Sequence, residues 1–380
     1  MKTFNIKYFF TAFTVISFVL FTSTASAQLS ASLRFKNKLP DTLLHNIIDD
    51  NYMAAIASPK ADNKLNTESI TSFESNIESQ LDTRAGREKL LGYLKELSDN
   101  NSNEIAYNQA KARGYYKLAS VFAKLRMYPL AMKCFFKTMG YKQKGQSKPD
   151  SVVTDTARLR FDDNVLTINA ADDSVFVNNP VQIKEKKEKK SKSITYNKIV
   201  NTFNDGKKAA AYALLFHVKQ PKPGKPTVFV RANTGHTFIT LIKYNTDSTS
   251  VSVSFGFYPI KDNIFSATPW EPETTGGFKN DSDHHWDEVM GKFISERKFK
   301  RILKLTQRYE GLEYHLSKNN CTDFALQAAA FAGFGVTNSK GAWPLGSGNN
   351  PGITGQSIIA GGVYDDDNDD VFINFDEAVK

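Results

Sequence analysis

The hydrophobic periodicity of the chain changes once, and this change limits the folds that it can adopt. Across residues 30–140, apolar side chains such as Tyr115, Leu118 and Phe122 recur at three- and four-residue spacing, which predicts helices. Beyond residue 196, apolar and polar side chains alternate, as in residues 236–244, which predicts strands. A strand meander followed by two helices indicates an α+β domain, and a mainly helical region precedes it.

The composition is that of a chain that folds around hydrophobic cores. Hydrophobic residues make up 41% of the sequence and include 28 Phe and 15 Tyr, which excludes a chain that is disordered throughout. A run of Lys and Glu over residues 184–192 is typical of a solvated linker of mixed charge. The predicted divisions are a signal peptide at 1–27, a helical region at 28–145, short β runs and the linker at 146–195, the α+β domain at 196–364, and an acidic tail at 365–380.

The N-terminus predicts export. Lys2 and Lys7 precede an apolar run over residues 8–21, and the small residues that end at Ala27 form an Ala-x-Ala site. The run is shorter than the roughly 20 apolar residues of a membrane-spanning helix, so cleavage after Ala27 is favoured over an uncleaved anchor. We therefore expect an exported protein, in a periplasm, on a cell surface or secreted, with no membrane segment after cleavage.

Charge and the helical region bear on the partners of the protein. The chain has 49 Lys and Arg against 40 Asp and Glu, and its net charge of +9 suits an anionic surface such as a cell envelope. No nucleic-acid partner is expected. Residues 112–139 are similar to a tetratricopeptide helix pair, with Pro129 opening the second helix, but a single copy fits a generic helical bundle as well. Either arrangement could dock a protein partner.

Alternating patterns and turn residues predict the strands of the α+β domain. The predicted strands occupy residues 211–218, 227–232, 236–244, 250–258 and 286–294, with shorter β runs at 165–168 and 175–177. The first two flank a proline-rich loop and the next two flank a polar turn at 245–249, so each pair is expected to form a hairpin. Ser295 is placed to cap the first helix.

The second helix begins with Asn320, Cys321, Thr322 and Asp323. Asn320 suits the N-cap position, and Asp323 lies three residues later, where its carboxylate can reach back to form a capping box. Cys321 then lies in the first turn, where the unpaired N–H groups and the helix dipole stabilise a thiolate. These features make Cys321 a candidate nucleophile.

Cys134 and Cys321 could be joined by a disulfide in an oxidising compartment. Cys134, however, lies in an apolar stretch that reads as a packed helix face, so a buried thiol is favoured there.

His236 is the histidine best placed for chemistry, since it opens an apolar strand after Gly235, where a glycine allows close approach of another segment. His217 lies inside an alternating strand and is expected to face solvent or a core contact, and His315 is expected in a loop. The pair His284 and His285, near Asp281 and Asp283, resembles a weak metal cluster, but adjacent histidines point in different directions. We therefore expect neither a metal nor a cofactor.

Three motifs together resemble a known group of enzymes. They are Gly235-His236-Thr237-Phe238-Ile239, Phe255-Gly256-Phe257-Tyr258-Pro259, and Tyr314-x-Leu316 ahead of Asn320-Cys321-Thr322-Asp323-Phe324. In this order they are similar to the circularly permuted papain-like cysteine hydrolases, which are relatives of the NlpC-type cell-wall peptidases and include lecithin–retinol acyltransferases. The resemblance covers about residues 214–335 and implies a papain-like domain in which the histidine strand precedes the cysteine helix.

The resemblance implies that Cys321 is the nucleophile and that His236 is the base. A third residue should orient the imidazole from the neighbouring strand, and the register around the 245–249 turn places Tyr258 opposite His236, with Ser254 and Asp262 as alternatives. The N–H of Cys321, with help from the Asn320 side chain, would stabilise the oxyanion.

The expected function is that of an exported cysteine hydrolase that cleaves amide bonds, most plausibly in peptidoglycan stem peptides. A lipid acyltransferase or thioesterase of the same fold is an alternative, as is a papain-like domain that only binds. An apolar groove beside Cys321 would favour the lipid alternative, whereas polar walls would favour peptides.

Overall fold

The computed structural model describes residues 83–99, 105–144, 166, 190–231, 233–260, 267–268, 271–343, 346–366, 371–376 and 379. The predicted signal peptide lies outside these residues, as do the predicted β runs at 165–168 and 175–177, apart from the buried Leu166. In the described part of the chain, no helix combines the length and apolar character that a membrane span requires.

The described elements begin with three successive helices, and five successive strands form the middle of the chain. The helices are α1 (Arg84–Asp99), α2 (Ile105–Lys124), α3 (Tyr128–Lys144), α4 (Tyr196–Phe203), α5 (Glu296–Tyr309), α6 (Cys321–Ala332) and α7 (Pro351–Ile359). The strands are β1 (Lys192–Ile194), β2 (Ala209–Lys219), β3 (His236–Asn245), β4 (Ser250–Pro259), β5 (Glu273–Asn280), β6 (Glu288–Ile294), β7 (Glu313–His315), β8 (Phe334–Val336), β9 (Lys340–Trp343), β10 (Gly346–Asn349), β11 (Val363–Asp365) and β12 (Phe372–Phe375).

One antiparallel sheet organises these elements. Its strands lie in the order β1-β5-β4-β3-β2-β6-β12, and β7 adds to β5. The remaining strands pair as β10 with β9 and β11 with β8. The described residues therefore form a mixed structure of helices and an antiparallel sheet, which is compatible with the expected α+β class.

Both faces of the sheet are covered by helices. On one face, α2 and α3 pack against Ala213, Leu215 and Phe238. On the other face, α5 and α6 pack against the intervening side chains Leu214 and Phe216. Because side chains alternate along a strand, burial on both faces makes β2 almost continuously apolar. The helix pair formed by α2 and α3 is therefore part of the same packed unit as the sheet, rather than a separate module.

The meander that carries the first two site motifs has the register predicted from its turn. Asn245 donates its backbone N–H to the Thr249 carbonyl (2.8 Å), and Tyr244 pairs with Ser250. The same register brings Ile239 opposite Phe255 farther along the strands. It therefore directs the start of β3 towards the end of β4, where Tyr258 lies.

The predicted hairpin between 211–218 and 227–232 is wrong. β2 pairs with β3 on one side and with β6 on the other, so both of its hydrogen-bonding edges are already occupied. Among the described residues of 227–232, the β-pairing is limited to Val230, which forms an isolated bridge with the nearby Asn233. The segment instead forms a loop that leads to Gly235.

The limits of the domain also differ from those predicted. The end of the charged linker forms β1, which pairs with β5, and Thr195 caps α4. At the other end, Asp365 belongs to β11 and forms an ion pair with Lys292, while β12 pairs with β6 at the sheet edge. Free sheet edges recruit these segments because unpaired backbone groups favour another strand.

Candidate active site

Three segments that are distant in sequence converge at one end of the sheet. They contribute three side chains: His236 at the start of β3, Asp281 directly after β5, and Cys321 at the start of α6. His236 and Cys321 are each 6% exposed and Asp281 is fully buried. Burial of three ionisable side chains together is costly unless each compensates another. The contacts among them show that they do.

Cys321 is held by the capping box that the sequence predicts. The Asn320 side chain accepts from the N–H groups of Thr322 (2.8 Å) and Asp323 (3.2 Å), and the Asp323 carboxylate accepts from the Asn320 N–H (2.9 Å). Gly333, in the left-handed conformation (φ 90°), ends the helix. Cys134 lies buried in α3, and no disulfide joins the two cysteines. The Cys321 thiol therefore lies at the positive end of a well-capped helix.

His236 is positioned by two glycines. Gly235 adopts φ +71°, and a Cβ there would lie 2.4 Å from the carbonyl oxygen of Lys219. On the adjacent strand, a Cβ at Gly256 would lie 2.5 Å from Nε2 of His236 and 2.8 Å from the Asp281 carboxylate. Separations below 3 Å leave no room for a side chain, so Gly256 provides the space in which the imidazole meets the carboxylate.

Asp281 is the residue that orients His236. Its Oδ2 lies 3.1 Å from Nε2 of the imidazole. Its Oδ1 accepts from the Tyr258 hydroxyl (2.6 Å) and from the Ser191 hydroxyl (2.9 Å). The start of β3 meets the start of α6, where the hydroxyls of Thr237 and Thr322 lie 3.1 Å apart, and because Nε2 faces Asp281, Nδ1 is the ring nitrogen left to interact with the Cys321 thiol. The imidazole thus lies between the thiol and the carboxylate.

The prediction that Tyr258 orients the imidazole is therefore corrected. Tyr258 lies against the His236 ring, with centroids 4.2 Å apart, but its hydroxyl donates to Asp281. The alternative Ser254 bonds to Thr240 (2.8 Å), and Asp262 lies outside the described residues. Tyr258 therefore acts indirectly: its hydroxyl holds the Asp281 carboxylate, and the carboxylate in turn orients the imidazole of His236.

Asn320 is not available as an oxyanion donor. Its amide NH₂ donates to the carbonyl oxygens of Leu316 (3.0 Å) and Asn349 (2.8 Å), and its oxygen serves the helix cap. All hydrogen-bonding groups of the amide are therefore engaged within the protein. Its role is to anchor the start of α6 to the two loops beside it.

Tyr314 lies close to Cys321, since the electrostatic environment of its buried phenol includes both the Cys321 side chain and the Cys321 backbone. Burial, followed by the Cys321 charge, raises the pKa of Tyr314 well above its ordinary value, so the phenol keeps its proton. A neutral phenol beside a thiol and a helix N–H can donate to negative charge that develops on a bound carbonyl oxygen.

The electrostatics favour a thiolate–imidazolium pair. Burial raises the pKa of Cys321, but the hydrogen bond and charge of His236, with the Thr237 N–H and the Thr322 hydroxyl, lower it below 9.0 overall. Burial likewise lowers the pKa of His236, but Asp281, then Cys321, raise it from 6.5 to about 9. The lowered thiol pKa and the raised imidazole pKa both favour the charged pair at neutral pH.

The other histidines have different surroundings. His217 is fully buried between Tyr128 and Phe238 and bonds Thr240 through Nε2 (2.9 Å), so it makes a core contact and does not face solvent. His315 ends β7 and accepts two backbone N–H groups.

The adjacent pair diverges, as the sequence suggested. His285 accepts from Arg126 (3.1 Å), whereas the ring of His284 lies 5.0 Å from that of His236.

The sequence does not predict the contact between Asp281 and His236, because it does not predict the strand β5 that precedes Asp281. Its sequence, ETTGGFKN, contains two adjacent glycines and few apolar residues, so the alternation that marks a strand is weak. The one local signal is the polar turn that follows, where the sequence pattern groups Asp281 with His284 and His285 as a weak metal cluster. The pairing of β5 with β4 brings the Asp281 carboxylate to His236.

No protein-family model matches the chain, and no curated protein or solved structure matches it either. What the site can do therefore follows from its own geometry.

Proposed function

We propose that the protein is a cysteine hydrolase in which Cys321 attacks a carbonyl group, His236 transfers protons and Asp281 orients the imidazole. The observation that carries this proposal is that Nε2 of His236 lies 3.1 Å from the Asp281 carboxylate, while the residues that follow His236 and Cys321, Thr237 and Thr322, have their hydroxyls 3.1 Å apart. A cysteine placed at a helix start and paired with a histidine is an activated nucleophile. The order of these residues in the chain supports the permuted papain-like assignment.

In the first step, the Cys321 thiolate forms a bond to the carbonyl carbon and the carbonyl π electrons move to oxygen. The Cys321 N–H at the start of α6 and the neutral Tyr314 hydroxyl near it would stabilise that oxyanion. When the intermediate collapses, the bond to the leaving group breaks, and the His236 imidazolium gives its proton to that group. A thioester of Cys321 results.

In the second step, neutral His236 takes a proton from water, and the resulting hydroxide attacks the thioester. The thiolate leaves and the carboxylic acid is released, which restores the starting pair. Asp281 keeps Nε2 protonated throughout, so that Nδ1 remains the nitrogen that exchanges protons with the thiol and with water.

The polar surroundings of the thiol support an amide substrate over a lipid. The Thr322 hydroxyl lies 3.9 Å from the Cys321 thiol, and the Lys279 ammonium lies 4.5 Å from the centre of the Tyr258 ring. Hydroxyls and a nearby cation suit a peptide that carries carboxylates better than they suit an acyl chain. Together with the expected export and the positive net charge, this supports stem peptides of the cell wall as the substrate.

The test is mass analysis of purified sacculi after incubation with the wild-type protein or Cys321→Ala. We expect new muropeptides with the wild type and none with Cys321→Ala. Cys134→Ala is the matched control, because it removes the other thiol and should retain activity. Unchanged muropeptides in all three samples would remove the peptidoglycan substrate.

An alkylation experiment separates an inactive domain from an enzyme with another substrate. Iodoacetamide at pH 7 should label Cys321 much faster than Cys134, because the lowered pKa makes the thiolate available. Equally slow labelling of both cysteines would instead support a domain that only binds.

A further inference from the structure

The loop between β5 and β6 brings a second histidine to the triad. His284 lies 5.0 Å from His236 between ring centroids. One potential ligand atom from each of His236, Asp281 and His284 lies within 4.8 Å of the others. Two imidazoles and one carboxylate form a ligand set found in catalytic zinc sites. The mechanism proposed above makes no use of His284.

Two of these three side chains, His284 and Asp281, are also held by a second partner in the way that metal ligands are. Nδ1 of His284 lies 2.8 Å from the His285 carbonyl, which can only accept, so Nδ1 carries the hydrogen and Nε2 has the lone pair. Oδ1 of Asp281 is bonded by Tyr258 and Ser191, which leaves Oδ2 for coordination. Such outer contacts fix the tautomer and orientation of ligands at metal sites.

We propose that His236, Asp281 and His284 bind a zinc ion that reversibly inhibits the hydrolase. The proposal rests on the proposed function, because inhibition presupposes an active Cys321–His236 pair. Zinc ligands lie about 2.0–2.2 Å from the metal, so neighbouring ligand atoms in a tetrahedral site are about 3.4 Å apart. Nε2 of His236 and Oδ2 of Asp281 are already 3.1 Å apart, and the ligand atoms of the three residues lie within 4.8 Å of one another, so closure around zinc shortens their separations by about 1.4 Å at most.

Zinc at this position would block the reaction by occupying Nε2. The proton on Nε2 is released to solvent when the metal binds, and the zinc–Asp281 bond replaces the hydrogen bond that orients the ring. The imidazole can then no longer serve as the imidazolium partner of the Cys321 thiolate. A hard ion such as Mg²⁺ should not compete, because it prefers an octahedral set of oxygen ligands.

Calorimetry with zinc alone tests the binding site independently of any substrate. Cys321→Ala should bind one zinc ion per chain as the wild type does, because the thiol is not a ligand. His284→Gln should weaken binding at least about tenfold, since it removes one of three ligands. His285→Gln is the matched control and should bind normally, because its ring contacts Arg126 instead. Circular dichroism of each variant checks that it is folded.

The rate of iodoacetamide labelling of Cys321 gives the functional readout. Zinc should slow labelling of the wild type, chelation should restore it, and His284→Gln should resist the effect. Loss of zinc binding in Cys321→Ala, equal loss in His284→Gln and His285→Gln, or no zinc binding at all would overturn the proposal. If the wild-type protein binds zinc but shows no hydrolase activity, the zinc site is supported and only the proposed function is removed.

Discussion

Substitution of Asp281 by asparagine tests the catalytic geometry most directly. The hydroxyls of Tyr258 and Ser191 both donate to Oδ1, so the oxygen of the new amide should take that position. The amide NH₂ would then face His236 and donate to Nε2. This forces the ring hydrogen onto Nδ1, the nitrogen that must accept the Cys321 proton. The variant therefore keeps its shape but holds the imidazole in the wrong tautomer.

The size of the effect follows from the pKa of His236. Burial lowers this pKa, but the Asp281 charge and hydrogen bond, followed by Cys321, raise it from 6.5 to about 9. At about 1.4 kcal/mol per pH unit, a difference of about 2.5 units corresponds to about 3 kcal/mol in favour of the imidazolium. Because Asp281 is the largest contribution that raises this pKa, its loss leaves burial largely uncompensated, so the pKa falls below 6.5 and the imidazole is mostly neutral at pH 7. Labelling of Cys321 should then slow by about tenfold.

The assay is the rate at which iodoacetamide labels Cys321 at pH 7 in the wild type and in Asp281→Asn. Cys134 in the same molecule reports the background reactivity of a buried thiol. Thermal unfolding shows whether the variant is folded. A variant that is folded and labels within a few-fold of the wild-type rate would refute the role assigned to Asp281.

Two further predictions concern packing and pH. Gly256→Ala should abolish rapid labelling of Cys321, because the added methyl would lie 2.5 Å from Nε2 of His236; Gly92→Ala, where nothing lies within 4 Å, should label normally. Glu288 is buried with no hydrogen-bond partner for its carboxyl among the described residues, and burial raises its pKa from 4.5 to about 9. The unfolded state therefore loses this proton at lower pH than the folded state, so the unfolding free energy falls as pH rises from 4.5 to 9. Between pH 5 and 8, the free energy of unfolding measured with urea should fall by about 3 kcal/mol more for the wild type than for Glu288→Gln. An equal fall in both proteins would contradict this prediction.

Cys321 and His236, the proposed nucleophile and base, could be singled out from the sequence because their signals are local. The capping box around Cys321 spans four residues and fixes the helix start wherever that helix packs. His236 follows a glycine at the start of a strongly apolar strand, and the turn at 245–249 sets the register with β4. Each inference depends on backbone chemistry within a few residues, which tertiary contacts do not override.

The edges of the domain were not predictable in the same way. The run around Lys192 and the acidic segment around Asp365 have the composition of solvated chain, yet both supply short strands. What stabilises these strands is the unpaired edge of another strand, which no local pattern records. Similarly, 227–232 has a strand-like pattern but finds both edges of β2 occupied.

The amino-acid pattern by itself determined which residues carry reactive groups and what local backbone holds them. Only the folded sheet decided which carboxylate faces the imidazole, because Asp281 reaches His236 through the pairing of β5 with β4 and of β4 with β3. The tertiary structure likewise committed Asn320 to the loops beside it and placed Tyr314 and His284 around the thiol and the imidazole. The physical reason is that hydrogen bonds between side chains require separations of about 3 Å, which contacts distant in sequence establish.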